Sequence, residues 1–151
     1  MALKKRSQAR VLAVQALCLF DALGDEFAEQ LDEFLDDPQV HADLGLPAPL
    51  PAGLRAFARR LAAGTWQHHK RYDELLAATA PQWGLSRMAP TDRNILRLGL
   101  HELLTEPDTP LEVALNEAVE LARLLGGAES PAFVNAVLDA SRRKLGITRE
   151  E

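Results

Sequence analysis

The chain has 151 residues, 47% apolar and only 5% aromatic, with a net charge of −5. That length and apolar content suit one globular domain with a core of its own and exclude a disordered chain. A single cysteine, Cys18, excludes an internal disulfide and a cysteine-built zinc site, and no run approaches the ~20 apolar residues of a membrane span.

Lys4, Lys5 and Arg6 are followed by a stretch broken by Gln8, Arg10 and Gln15, which is no secretory leader, so a cytoplasmic protein is expected. The apolar flanks Ala16, Leu17 and Leu19 predict a buried Cys18. Net charge alone argues against a general nucleic-acid binder, but its distribution is uneven. Residues 1–20 carry Lys4, Lys5, Arg6 and Arg10 and no acid, Asp21 to Asp37 holds eight acids and no base, and Arg55 to Arg71 is positive again. A short basic arm on an acidic body can hold a local anion.

Alanine and leucine dominate and β-branched residues are scarce, so helices are expected throughout. Ala9, Ala13, Ala16, Leu17 and Phe20 recur at three- and four-residue steps, predicting a first helix over Lys5–Leu23 that Gly24 ends. Phe27, Leu31, Phe34 and Leu35 predict a shorter helix closed by Pro38. Four prolines (Pro38, Pro47, Pro49, Pro51) and Gly45 predict a loop over 38–51. A long helix is expected from Ala52 to Ala80 on Leu54, Phe57, Leu61, Tyr72, Leu75 and Leu76, weakened at Gly64 and ended by Pro81. Trp83, Leu85 and Met88 suggest a short turn before Pro90. Pro90 sits well at a first helical position, with Asp92 in the first turn and a stripe through Ile95, Leu96, Leu98, Leu103 and Leu104. Thr109-Pro110-Leu111-Glu112 has the spacing of a capping box before a helix that Gly126-Gly127 stops. Ser130-Pro131 opens the last helix, which buries Val134, Val137 and Leu138 and ends at Gly146.

Chemistry-bearing patterns are weak. His101-Glu102 begins a zinc-protease-like motif, but position 105 is Thr, so the second ligand is missing. His68 and His69 are adjacent on a helix and diverge by about 100°. The histidines therefore read as surface residues, and no metal is expected. Ser141 and Lys144 match a serine-lysine spacing, but at a helix end, where basic residues complement the dipole. No glycine loop cradles a phosphate, and no nucleophile or acid–base set is evident. Asn116 and Asn135, amid apolar neighbours, read as buried residues that fix helix packing.

Two stretches are more specific. The first is Arg6-x-x-x-Arg10-x-x-Ala13-x-Gln15-x-Leu17. The second runs from Asp92 to Asp139 and contains Asp92-Arg93-x-Ile95-Leu96-Arg97-Leu98, His101-Glu102-Leu103, Asn116-Glu117-Ala118 and Phe133-Val134-Asn135-x-Val137-Leu138-Asp139. In order and spacing they resemble the NusB family of transcription antitermination factors. The resemblance implies an all-α fold of about seven helices in two packed bundles, with residues 1–151 forming a single RNA-binding domain. It implies binding of single-stranded boxA-type RNA, as in ribosomal RNA transcripts, together with NusE, a small-subunit ribosomal protein, within the RNA polymerase antitermination complex. It implies neither catalysis nor a cofactor. A homodimer that hides the RNA face stays open.

Carried over by position, the RNA contacts fall on Lys4, Lys5, Arg6 and Arg10, on the loop residues Glu129 and Ser130, and on Phe133. The spacing of Arg6 and Arg10 puts both on one helix face, and guanidinium forks suit phosphate oxygens. Phe133 reads either as a ring that stacks on a base or as a core residue. Asp92 falls on the NusE contact, away from the RNA. The chain departs from the family at Cys18, where an aromatic is usual, and in the proline-rich 38–51. Two other assignments remain open: the NusB-like accessory domain of some ribosomal RNA methyltransferases, and a helical scaffold binding only proteins. The end of the chain at Glu151 without a cofactor motif favours a free-standing protein, and the basic arm favours RNA.

Overall fold

Helix is the only regular structure among the described residues, 4–147 (the Trp83 side chain excepted), of the computed structural model. Those residues form eight α-helices in two units, Met1–Trp66 and Gln67–Glu151. The ends of the expected 1–151 domain, residues 1–3 and 148–151, lie outside the described residues.

In the first unit, α1 (Lys5–Leu23) buries the predicted stripe, with Leu12, Ala13, Ala16 and Leu17 fully enclosed. Gly24, at φ +81°, ends it in a conformation that favours glycine, and its N–H donates to the Phe20 carbonyl at 2.7 Å. A 3-10 turn over Asp25–Gln30 leads to α2 (Leu31–Leu35). Pro38 does not close this region but opens α3 (Pro38–Asp43), so the expected 38–51 loop is partly helical. Asp37 is the N-cap, its carboxylate accepting from the Gln39 N–H at 2.8 Å, and proline's fixed φ suits the first helical position. In α4 (Ala52–Gln67), Leu54, Phe57, Ala58, Leu61, Ala62 and Thr65 face inward. The Trp66 ring stacks on Phe20 at 5.2 Å, joining α4 to α1.

The expected 52–80 helix is two helices. The break falls at His68 rather than Gly64, and α5 (His69–Thr79) begins the second unit. Short 3-10 turns over Pro81–Trp83 and Leu85–Arg87 precede α6 (Pro90–Thr105), which packs on α5, α7 (Leu111–Leu125) and α8 (Ser130–Lys144). Every residue from Asn94 to Leu103 is buried, so α6 is the hub of this unit. At Gly99 an added Cβ would stand 2.6 Å from Leu138 Cδ1, so α6 and α8 approach closely there. The capping box does not form at α7. Pro110 takes the N-cap position, with no side-chain cap bond, which moves Thr109 outside the helix. Gly146, at φ +68°, ends α8 as expected, with the Ile147 N–H donating to the Arg142 carbonyl at 2.9 Å. No helix among the described residues is long and apolar enough to cross a membrane.

Buried polar residues correct the reading of three residue types. Asn116 and Asn135 are exposed, whereas Asn94 is fully buried. Asn94 Nδ2 donates to the Pro90 carbonyl and its Oδ1 accepts from Arg97, whose guanidinium also grips both Asp73 carboxylate oxygens at 2.7 Å. His41 and His101 are buried, not on the surface. His41 Nε2 lies 2.7 Å from the Leu35 carbonyl, and His101 Nδ1 lies 2.7 Å from the Tyr72 hydroxyl. Burial pushes the Tyr72 phenol above its usual range. Cys18 is only half-buried.

Candidate nucleic-acid interface

The basic arm heads α1. Lys4, Lys5 and Arg6 are exposed, and the first turn holds no acid. Cations at a helix N-terminus oppose the macrodipole at about 0.3–1 kcal/mol each. Three of them there do nothing for helix stability and leave a site for an anion. Arg6 and Arg10 do share a face, with guanidinium carbons 4.3 and 5.4 Å from the Phe57 ring centroid. Their surroundings differ, however. Arg10 is only 2% exposed, so it backs the arm from within while Arg6 meets solvent. A third guanidinium, that of Arg60 on α4, lies 5.1 Å from the same ring. Sequence reasoning passed over Arg60 because its own helix gives no hint of the α1 partner.

The second candidate patch is in the other unit, where α7 turns into α8. The Gly126 N–H caps α7 on the Ala122 carbonyl at 2.9 Å. Ser130 then folds back over the turn. Its Oγ accepts from the Gly127 N–H at 3.0 Å and donates to Asp92 Oδ2 at 3.1 Å. This is possible only because position 126 lacks a side chain: a Cβ there would stand 2.6 Å from Ser130 Oγ and 2.8 Å from the Ala122 carbonyl oxygen. Ser130 is therefore buried, holding the loop to the start of α6. Glu129 is exposed. Phe133, Glu129, Ser130 and Asp92 line one cavity of about 690 Å³ together with Arg87 and Met88. Asp92 thus shares a cavity with the loop residues assigned to RNA. Its Oδ1 is buried with no hydrogen-bond partner.

Phe133 is half-buried and also borders a second cavity of about 370 Å³ with Ala136 and Thr79. A ring flanked by open volume gives up less on truncation than an enclosed one. Phe133→Ala is therefore expected to cost clearly less than the roughly 3–5 kcal/mol of an enclosed phenylalanine, and to lose about 1–3 kcal/mol of RNA binding if the ring stacks on a base. Thermal melting beside fluorescence-anisotropy titration separates the two. A full core-sized loss of stability with unchanged RNA affinity would remove Phe133 from the interface.

The remaining candidate chemistry is structural. Ser141 Oγ donates to the Val137 carbonyl at 2.8 Å, and Lys144 Nζ donates to the Ala78 carbonyl at 3.0 Å. No group of three or more potential metal ligands occurs among the described residues.

A model of the NusB family matches residues 7–143. The transcription antitermination protein NusB of Symbiobacterium thermophilum is 40% identical over 133 residues, covering 88% of this chain and 86% of its own. That of Desulforapulum autotrophicum is 37% identical over 146 residues, covering 97% and 96%. Among solved structures, NusB of T. maritima superposes with a TM-score of 0.76 at 31% identity, covering 95% of this chain and 94% of its own. A NusB solved with NusE and double-stranded RNA shares the fold at a TM-score of 0.76 and 22% identity, covering 95% and 99%.

Proposed function

Since the chain belongs to the NusB family, we propose that it acts as a transcription antitermination factor that binds boxA-type RNA together with NusE. The observation that carries this is the family match over residues 7–143, which runs through both units and supports treating the whole chain as one RNA-binding domain. The work is done by binding, in the cytoplasm, without catalysis or a cofactor. Lys4, Lys5 and Arg6 take phosphates, with Arg10 positioning Arg6 through Phe57. Glu129 and Phe133 meet bases, and Ser130 shapes their loop. Asp92 receives the protein partner, and its buried, unpaired Oδ1 would gain most from an incoming donor.

Titration with boxA-type and scrambled RNA, with and without NusE, tests the function. Preference for boxA that NusE strengthens is the expected result, and equal binding of both RNAs under both conditions would reject it. The arm has its own signature. Arg6→Ala is expected to flatten the log–log salt dependence of RNA binding by about 0.7, the share of one single-strand phosphate. Arg10→Ala, at a buried position, should act mainly on the melting temperature. An unchanged slope in Arg6→Ala would take the phosphate contact away from the arm.

A further inference from the structure

We propose that Arg87 is a further RNA-binding residue, and that with Phe133 and Glu129 it forms a subsite for one unpaired nucleotide whose base carries an amino group. This rests on the RNA-binding function proposed above and names the nucleotide that the α7–α8 turn receives.

All three residues line the cavity of about 690 Å³ beside that turn, a volume within the roughly 300–1,000 Å³ of small-ligand sites. The 3-10 turn Leu85–Arg87 carries Arg87 to it. Arg93 on α6 grips this turn, its Nη1 donating to the Leu85 carbonyl at 3.0 Å and to the Met88 carbonyl at 3.2 Å. The Arg87 stem lies along Gly84, with Nε, Cγ and Cδ 3.5–3.9 Å from where a Cβ would stand. Turn and stem are thus held, while Arg87 is exposed and pairs with no carboxylate among the described residues.

The charged side chains of the cavity are one guanidinium, Arg87, and two carboxylates, Asp92 and Glu129. A bare phosphate there would meet one cation and two anions, so this is not a simple anion site. A nucleotide brings both signs that the lining calls for. Its phosphate suits the Arg87 fork, and an amino-bearing base offers N–H donors to a carboxylate. Asp92 Oδ2 is tied to Ser130, whereas Glu129 is exposed, so Glu129 is the acceptor for the base edge. The half-buried Phe133 ring supplies the stacking face. Uracil fits worse. Its pairing edge has one N–H between two carbonyl oxygens, which a carboxylate repels, whereas cytosine, adenine and guanine bring an amine.

The test is anisotropy titration of the full chain with oligocytidylate and oligouridylate of equal length over a range of salt, with circular dichroism as the folding control. These pyrimidines differ at the amine and not in ring size. The wild-type chain is expected to prefer oligocytidylate by about tenfold, the order of one hydrogen bond to a charged group. Glu129→Gln, whose amide can both accept and donate, should erase that preference. Arg87→Gln should weaken both RNAs alike and flatten the log–log salt slope by about 0.7, the share of one phosphate, while Arg87→Lys keeps the slope. Arg143→Gln, which removes an equal charge at the far end of α8, should leave the slope unchanged. A wild-type slope in folded Arg87→Gln overturns the proposal, also where that variant weakens binding of NusE, which would make Arg87 a protein contact. So does equal flattening by Arg143→Gln, which would mean diffuse charge, or a cytosine preference that survives Glu129→Gln. If Arg6→Ala flattens the slope and Arg87→Gln does not, the chain still binds RNA and only this subsite is wrong. If the wild-type chain binds neither RNA, nor boxA-type RNA with NusE, the RNA-binding function falls as well.

Discussion

Replacing Asp73 with alanine is expected to cost the protein about 3 kcal/mol, the lower end of the roughly 3–5 kcal/mol for breaking a buried ion pair. Arg97 has a side chain only 5% exposed and donates to both Asp73 oxygens at 2.7 Å, so the variant strands a cation inside the second unit. Asp73 itself is 30% exposed, and water entering its place moderates the loss. Asn94 Oδ1 keeps one bond to the guanidinium but cannot neutralise it. For a chain of this size a loss of 3 kcal/mol lowers the melting temperature by roughly 6–12 °C. Adding Arg97→Met to Asp73→Ala should recover much of the loss, because the penalty lies in the unpaired charge rather than in the missing contact. Thermal melting of the two single variants and the double variant completes the cycle. A loss below about 1 kcal/mol in Asp73→Ala, or strict additivity in the double variant, would show that the pair is not what holds α5 to α6.

Asp92→Arg should weaken the complex with NusE by a few kcal/mol, tens- to hundred-fold or more, through loss of a charged contact and introduction of the opposite sign. The bond from Ser130 Oγ complicates a simple reversal, since removing the carboxylate also releases the loop that carries Glu129. Ser130→Ala separates these effects by breaking the same bond while leaving the Asp92 charge in place. If Asp92 meets the partner, Ser130→Ala keeps most of the affinity and Asp92→Arg loses it. If Asp92 only anchors the loop, the two variants weaken the complex alike, and the partner contact must be placed elsewhere. Isothermal titration of NusE into each variant gives the answer.

Where local pattern and tertiary structure agree, the fold was legible. The stripe of α1, proline at the start of α6, and glycine after α1 and α8 all act through contacts within about one helical turn, which spacing encodes. The break between α4 and α5 was not legible. The inward positions Leu61, Thr65, Tyr72 and Leu76 run on in phase across it, so periodicity carries no sign of a boundary. Helix α3 was hidden for a different reason: proline at position 38 can equally stop a helix on its N-terminal side or start one on its C-terminal side, and the Asp37 cap decides for the start.

The site divides along the same line. By itself the sequence determined the all-helical class, the family, and the placing of cations before the first acid, because composition, motif order and charge runs are properties of the chain alone. Only the tertiary structure decided which of those side chains meet solvent. Arg10 sinks against Phe57, Ser130 turns inward over Gly126 to Asp92, and Asn94 rather than Asn116 or Asn135 is the buried amide. Arg60 joins Arg6 across 54 positions of chain. Exposure depends on what a second helix lays over the first, and no window of local sequence contains that second helix.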